Sequence, residues 1–152
     1  MTRKIFDCAL GRELTDEEAD EMFPIVPVPL ADQKAIKWTE TKGRRDVAID
    51  AGVTVAGIGT FDSDATSRAN INGAVTMALI AQSAGAPFSI TWKLANNTIA
   101  AMNAAQMIAV GVAVGQHVAL CHANAQSLGV AINGASDEAA LSAVNVNAGW
   151  PA

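Results

Sequence analysis

Charge is confined to the front of this chain. Of its 25 charged residues, 22 lie at or before Arg68. The 84 residues from Ala69 to Ala152 carry three, Lys93, Asp137 and Glu138. A small soluble domain usually has about 25–35% charged side chains on its surface. Two readings stay open. In one, Ala- and Val-rich helices form a core covered by the charged front half, with Asn, Gln and Ser keeping the rest wetted. In the other, much of the rear half is buried against other chains, because interface cores are depleted in charge.

The remaining composition narrows the class. At 152 residues, 51% hydrophobic, the chain has the length of one domain with an arm and ample apolar side chain to fold. A net charge of −5 leaves no basic face for a nucleic acid. Cys8 and Cys121 are too few for a disulfide framework or a thiolate zinc site. The N-terminus has no apolar run that would make a signal peptide. The longest greasy segment, Met107 to Cys121, is interrupted by Gln116 and His117 and falls short of the ~18 residues of a membrane span. The expected location is therefore the cytoplasm, unless the protein leaves inside a larger particle.

Local signals give an α+β chain of four or five helices, short antiparallel β-hairpins and an extended N-terminal arm. The arm, residues 1–29, begins irregularly over 1–14. Thr15 and Glu18 then form a capping box for a short acidic helix ending near Met22. Pro24, Pro27 and Pro29 make the following segment an extended strap. Residues 30–152 form the main domain. A helix is expected over 30–49, with Gly52 after its end. Val53 to Phe61 reads as a tight hairpin or a glycine-bulged strand. Asp62 and Asp64 are both assigned to capping the next helix, 65–83, whose inner face would hold Ile71, Val75, Ala78 and Leu79. Ser89–Leu94 alternates with period two, Asn96-Asn97 makes the turn, and 98–102 returns as the partner strand. Asn103 and Gln106 form a second capping box. The long helix after it, 104–130, carries an apolar seam through Met107, Val110, Val114, Val118, Cys121, Ala125, Leu128 and Ile132. A last short helix begins after Asp137.

Chemistry-bearing patterns are sparse. His117 and Cys121 are spaced for a metal on a helix, but no further ligand stands out, and the histidines are read as lying off the seam. The glycines from Gly52 to Gly59 lack the helix-opening third glycine of a dinucleotide fingerprint. Asp62-x-Asp64 lacks the rest of a calcium loop. Gly111-x-x-x-Gly115 permits close helix crossing. No nucleophile is paired with a base, so no enzyme, metal or cofactor is expected. Acidic residues Glu13 to Glu21 offer a docking element for a basic partner.

The glycine hairpin Ala51–Asp64, the strand and turn Ile90–Thr98 and the Ala-rich helix after them resemble a small domain-of-unknown-function family. That family occurs in tailed-bacteriophage and prophage proteins, among them tail-fibre and tail-fibre-assembly proteins. The resemblance covers residues 36 to 130, with Arg44-Arg45 in the basic helix. This sequence has Asn96-Asn97 where the family often has Asp-Gly. The resemblance implies a phage-tail context and no catalytic residues. The expectation is a structural component of a tail, near the fibre or baseplate, located in the virion and in the host cytoplasm during assembly. Its partners would be copies of itself and other tail proteins, with no nucleic acid, membrane insertion or small-molecule substrate. The expected contact residues are Thr15, Glu18, Pro24 and Pro27 in the arm and Val110, Val114, Val118 and Leu128 on the long helix. The alternative is an assembly chaperone that binds a fibre without staying in the particle.

Overall fold

In the computed structural model, which describes residues 5–8, 11–22 and 27–151, the chain divides into two units, Met1–Gln33 and Lys34–Ala152. Among the described residues there are five helices and three two-stranded antiparallel pairs, an α+β architecture.

The first unit is held by charge and short polar contacts. β1 (Phe6–Asp7) pairs with β2 (Arg12–Glu13), Phe6 opposite Glu13 and Asp7 opposite Arg12. This hairpin stands where the sequence was read as irregular. Strands of two residues leave no alternation to read, and Gly11, at φ +66°, supplies the turn. Helix α1 (Asp16–Met22) starts as expected. Glu18 N donates to Thr15 Oγ1 at 3.3 Å, and Thr15 N donates to a Glu18 carboxylate oxygen at 2.9 Å.

Helix α2 (Leu30–Ile49) opens at the end of the first unit and lies mostly in the second. In the second unit, β3 (Val53–Val55) and β4 (Gly59–Phe61) form the glycine hairpin, Val53 opposite Phe61. Gly59 sits at φ +143°, a conformation that favours glycine, and a Cβ there would lie 2.6 Å from Leu94 Cδ1, so that side chain would have to shift. Asp64 alone caps α3 (Ala65–Ser83), accepting from Thr66 N and Ser67 N, while Asp62 is exposed and does not cap. The intervening Ser63 is fully buried instead. β5 (Ser89–Lys93) and β6 (Ile99–Asn103) pair with Trp92 opposite Ala100. Their turn places Asn97 at φ +66°, and Asn96 Oδ1 accepts from Thr98 N, the turn chemistry expected of Asn. α4 (Ala104–Gly134) and α5 (Glu138–Ala143) follow.

The main core lies where α3 and α4 meet the two hairpins. Phe61, Ile71, Met102, Met107 and Val110 are fully buried there, with Val53, Ala74, Ala78, Leu94 and Val114 around them. Each large apolar side chain so placed contributes roughly 1.5–3 kcal/mol. Leu79, expected on the inner face of α3, is instead 48% exposed, and Ala74 takes its place in the core. Small residues set the helix spacing. A Cβ on Gly111 would lie 2.6 Å from Val75 Cγ2 of α3, and one on Gly129 would lie 3.1 Å from Trp38 of α2.

A second cluster joins the end of α2 to the middle of α4 through Ala48, Ile49, Cys121, Val118 and Trp150. Polar side chains close it. Ser63 Oγ accepts from Gly52 N and donates to Ile49 O at 2.6 Å. Arg68 bonds to Asp50 at 2.9 Å and to the Ser63 carbonyl. At the opposite end of α2, Lys34 Nζ donates to Asn133 O at 2.9 Å and Lys37 Nζ to Leu141 O at 2.7 Å. Two lysines thus satisfy late carbonyls of α4 and α5, where a positive charge also suits the helix dipole. No buried side-chain nitrogen or oxygen among the described residues lacks a partner.

Candidate interaction surface

α4 begins with a reciprocal cap. Gln106 N donates to Asn103 Oδ1 at 2.9 Å, and Asn103 N donates to Gln106 Oε1 at 3.0 Å. From there the helix runs 31 residues with no Asp, Glu, Lys or Arg. Its inward face is Met107, Val110, Val114, His117, Cys121, Ala125 and Ile132, all buried. All of these but His117 belong to the seam read from the sequence, and the face is buried within the chain itself. Val110 is fully buried and Val114 is 5% exposed, so neither side chain is available to another molecule. Val118 and Leu128 flank the seam and are half-buried, Val118 against the Ala48–Cys121 cluster.

Behind the seam is a second, uncharged stripe of small, apolar and amide side chains. Ala105, Ala109, Val112, Gln116, Ala119, Ala123, Gln126 and Val130 are all exposed, at alternating spacings of four and three. Val112 is 54% and Val130 74% exposed, with Leu120 beside the stripe at 57%. The signal was present in the sequence, since the spacing that marks the buried seam recurs on the far side of the helix. A charged outward face would have separated the two, and this helix has none. Met77 and Ile80 give α3 an exposed apolar pair as well.

α4 is the one helix among the described residues long and apolar enough, by length and composition, to cross a membrane. The expectation that no segment reaches that length is thereby corrected. Gln116, His117, His122, Asn124, Gln126 and Ser127 dilute the apolar run without placing a charge in it.

His117, read as off the seam, belongs to it. Its ring lies under the last turn of α2, Nε2 2.8 Å from Ala48 O and 3.8 Å from Cys121 Sγ. A carbonyl oxygen only accepts, so Nε2 donates and the imidazole acts as a clasp between α4 and α2. His122 is exposed on the other side. Among the described residues no group of three His, Cys, Asp or Glu is arranged to hold a metal. Burial raises the Cys121 thiol above its ordinary value, which makes it less reactive. Both cysteines are free, Cys8 exposed and Cys121 buried.

In the arm, Glu18 is held on two sides. The Arg12 guanidinium grips its carboxylate through both oxygens, at 2.8 and 2.6 Å, and Thr15 adds backbone and hydroxyl bonds. These contacts, Arg12 foremost, lower its pKa from 4.5 to about 2. Thr15 and Glu18 thus shape the entry to α1, with Thr15 exposed and Glu18 half-buried. Pro27 is exposed, and Pro24 lies outside the described residues.

No curated protein and no solved structure matches the chain. Residues 32–146, from the first turn of α2 to Val146, match the family described as Domain of unknown function (DUF4376), and the chain belongs to that family.

Proposed function

We propose that this protein is a structural component of a bacteriophage tail, in the fibre or baseplate region, acting by assembly with copies of itself and neighbouring tail proteins. The observation that carries the assembly part is the outward face of α4, exposed over its whole length and without a charge. The surface of an isolated soluble domain usually carries charges of both signs, and a helix face of this length without any is unusual. The tail context is supported by the family resemblance of the two hairpins and the Ala-rich helix set out above. The acidic arm, with Thr15, Glu18 and Pro27, offers a separate docking element for a basic neighbour. On this reading the protein is not an enzyme, uses no cofactor and binds no nucleic acid, and it resides in the virion after assembly in the host cytoplasm.

The test is quantitative mass spectrometry of purified particles of the phage that encodes it. A virion component is present at fixed copy number relative to the major tail protein. Presence in the infected-cell lysate with none in particles would instead identify the chaperone reading and sink this one.

A further inference from the structure

The outward stripe of α4 has an internal symmetry. About a midpoint between His117 and Val118, Ala105 is the counterpart of Val130, Ala109 of Gln126, Val112 of Ala123, and Gln116 of Ala119. Every pair joins one alanine to one larger side chain. We propose that this stripe packs antiparallel against the same stripe of a second copy, about a twofold axis at that midpoint. The inference rests on the assembly reading above and specifies its occupant.

Three arguments favour a second copy. The first is charge. A partner face carrying Lys, Arg, Asp or Glu would strand an ionised group against 31 uncharged residues, at a high desolvation cost. Within this chain, α2 carries basic and acidic side chains along its length, and the uncharged surface of matching length is α4 itself. The second is layer volume. In the antiparallel register each of the facing layers pairs a small residue with a large one, which fills the space between helices evenly. A parallel, in-register alignment gives Ala on Ala in four layers, Val on Val in two and Gln on Gln in two. Self-complementarity of one patch about a twofold is what an isologous interface requires. The third is size. A helix of 31 residues is about 46 Å long. A contact roughly 10 Å wide along it covers about 1,000 Å² over both partners, just below the ~1,200 Å² at the low end of specific interfaces. The pair is therefore expected to form and dissociate with concentration in solution, and to be reinforced by other contacts inside a larger assembly.

The test is sedimentation velocity of the full chain from micromolar to near-millimolar concentration, with Val112→Lys and Ala119→Lys beside a Ser142→Lys control on α5. All three positions are exposed, and circular dichroism checks that each variant is folded. The wild type and the control should shift from monomer to dimer over the series. The two α4 variants should dimerise at least about tenfold more weakly, a difference of about 1.4 kcal/mol. Disulfide trapping in a Cys8→Ser background reads the direction. Ala105→Cys mixed with Val130→Cys should cross-link, and Ala105→Cys alone should not. A wild type that stays monomeric throughout, a parallel cross-linking pattern, or lysine variants that dimerise unchanged would each overturn the proposal. So would binding to lipid vesicles without self-association. Particle composition is scored separately: a monomer found at fixed copy in virions removes the twofold contact and keeps the assembly reading. A dimer absent from virions does the reverse.

Discussion

The two faces of α4 both lack Asp, Glu, Lys and Arg, and they have opposite fates. Inward, Val110 and Val114 are packed by α3 and the hairpins. Outward, Val112 stands half in water two residues on from Val110, on the opposite side of the helix. Charge does not distinguish the faces, and neither does spacing, although the inward face holds the larger apolar side chains, Met107 and Ile132 among them, and the outward one holds four alanines and two glutamines. What does is packing: within the second unit, α3 and the hairpins lie against one side of the helix. A helix without Asp, Glu, Lys or Arg thus becomes half core and half surface.

The largest expected effect tests that division directly. Val110→Asp places an unpaired carboxylate in the core and should cost about 3–5 kcal/mol, enough to unfold most of the population. Val112→Asp, two residues on, should change stability by no more than about 0.5 kcal/mol. Thermal melts followed by circular dichroism check both, and equal losses would break the comparison. The two glycines of α4 sharpen it. Gly111→Ala drives a methyl into Val75 and should destabilise by about 1–3 kcal/mol. Gly115→Ala meets nothing within 4 Å and should stabilise by up to about 1 kcal/mol through helix propensity. Opposite signs in urea denaturation are the expected result. Asn103→Ala removes one half of the cap that starts both faces, for about 1 kcal/mol by the same assay.

The smallest effect lies in the arm, which is built on ion pairing where α4 is built on packing. The Glu18 carboxylate has a folded-state pKa lowered from 4.5 to about 2. Its contribution to the entry of α1 is therefore fully present above pH 4.5 and is lost as pH falls through about 2. Arg12→Ala should bring the pKa of Glu18 back toward 4.5, read by a carboxyl-carbon NMR titration. An unmoved titration would remove Arg12 as the main cause.

Most of the fold was legible in the sequence because its punctuation is local. Thr15–Glu18, Asp64 and Asn103–Gln106 each announce a helix from within four residues, and Asn96-Asn97 announces its turn. What was not legible depends on partners far along the chain. Leu79 has helical spacing with Ile71 and Val75, yet the face of α3 turned to the core is centred on Ile71, Ala74 and Ala78 and leaves Leu79 at its edge, 48% exposed. His117 looked like a polar interruption of an apolar helix. Its acceptor is a carbonyl 69 positions earlier, and no local pattern reports such a bond. Ser63 was hidden between two aspartates that looked like the caps, and it proved to be the buried clasp. The outward stripe has the same three-and-four spacing as the buried seam, so periodicity alone does not say which side of the helix is covered.

The two lysines at the start of α2 have a practical consequence. Lys34 and Lys37 hold their ammonium groups against peptide carbonyls, whereas Lys93 lies open on β5. An amine-directed acylating reagent should therefore label Lys93 first and the other two slowly. The late appearance of label on Lys37 would time the release of α5 from the body of the molecule, giving a chemical clock for fraying at that end.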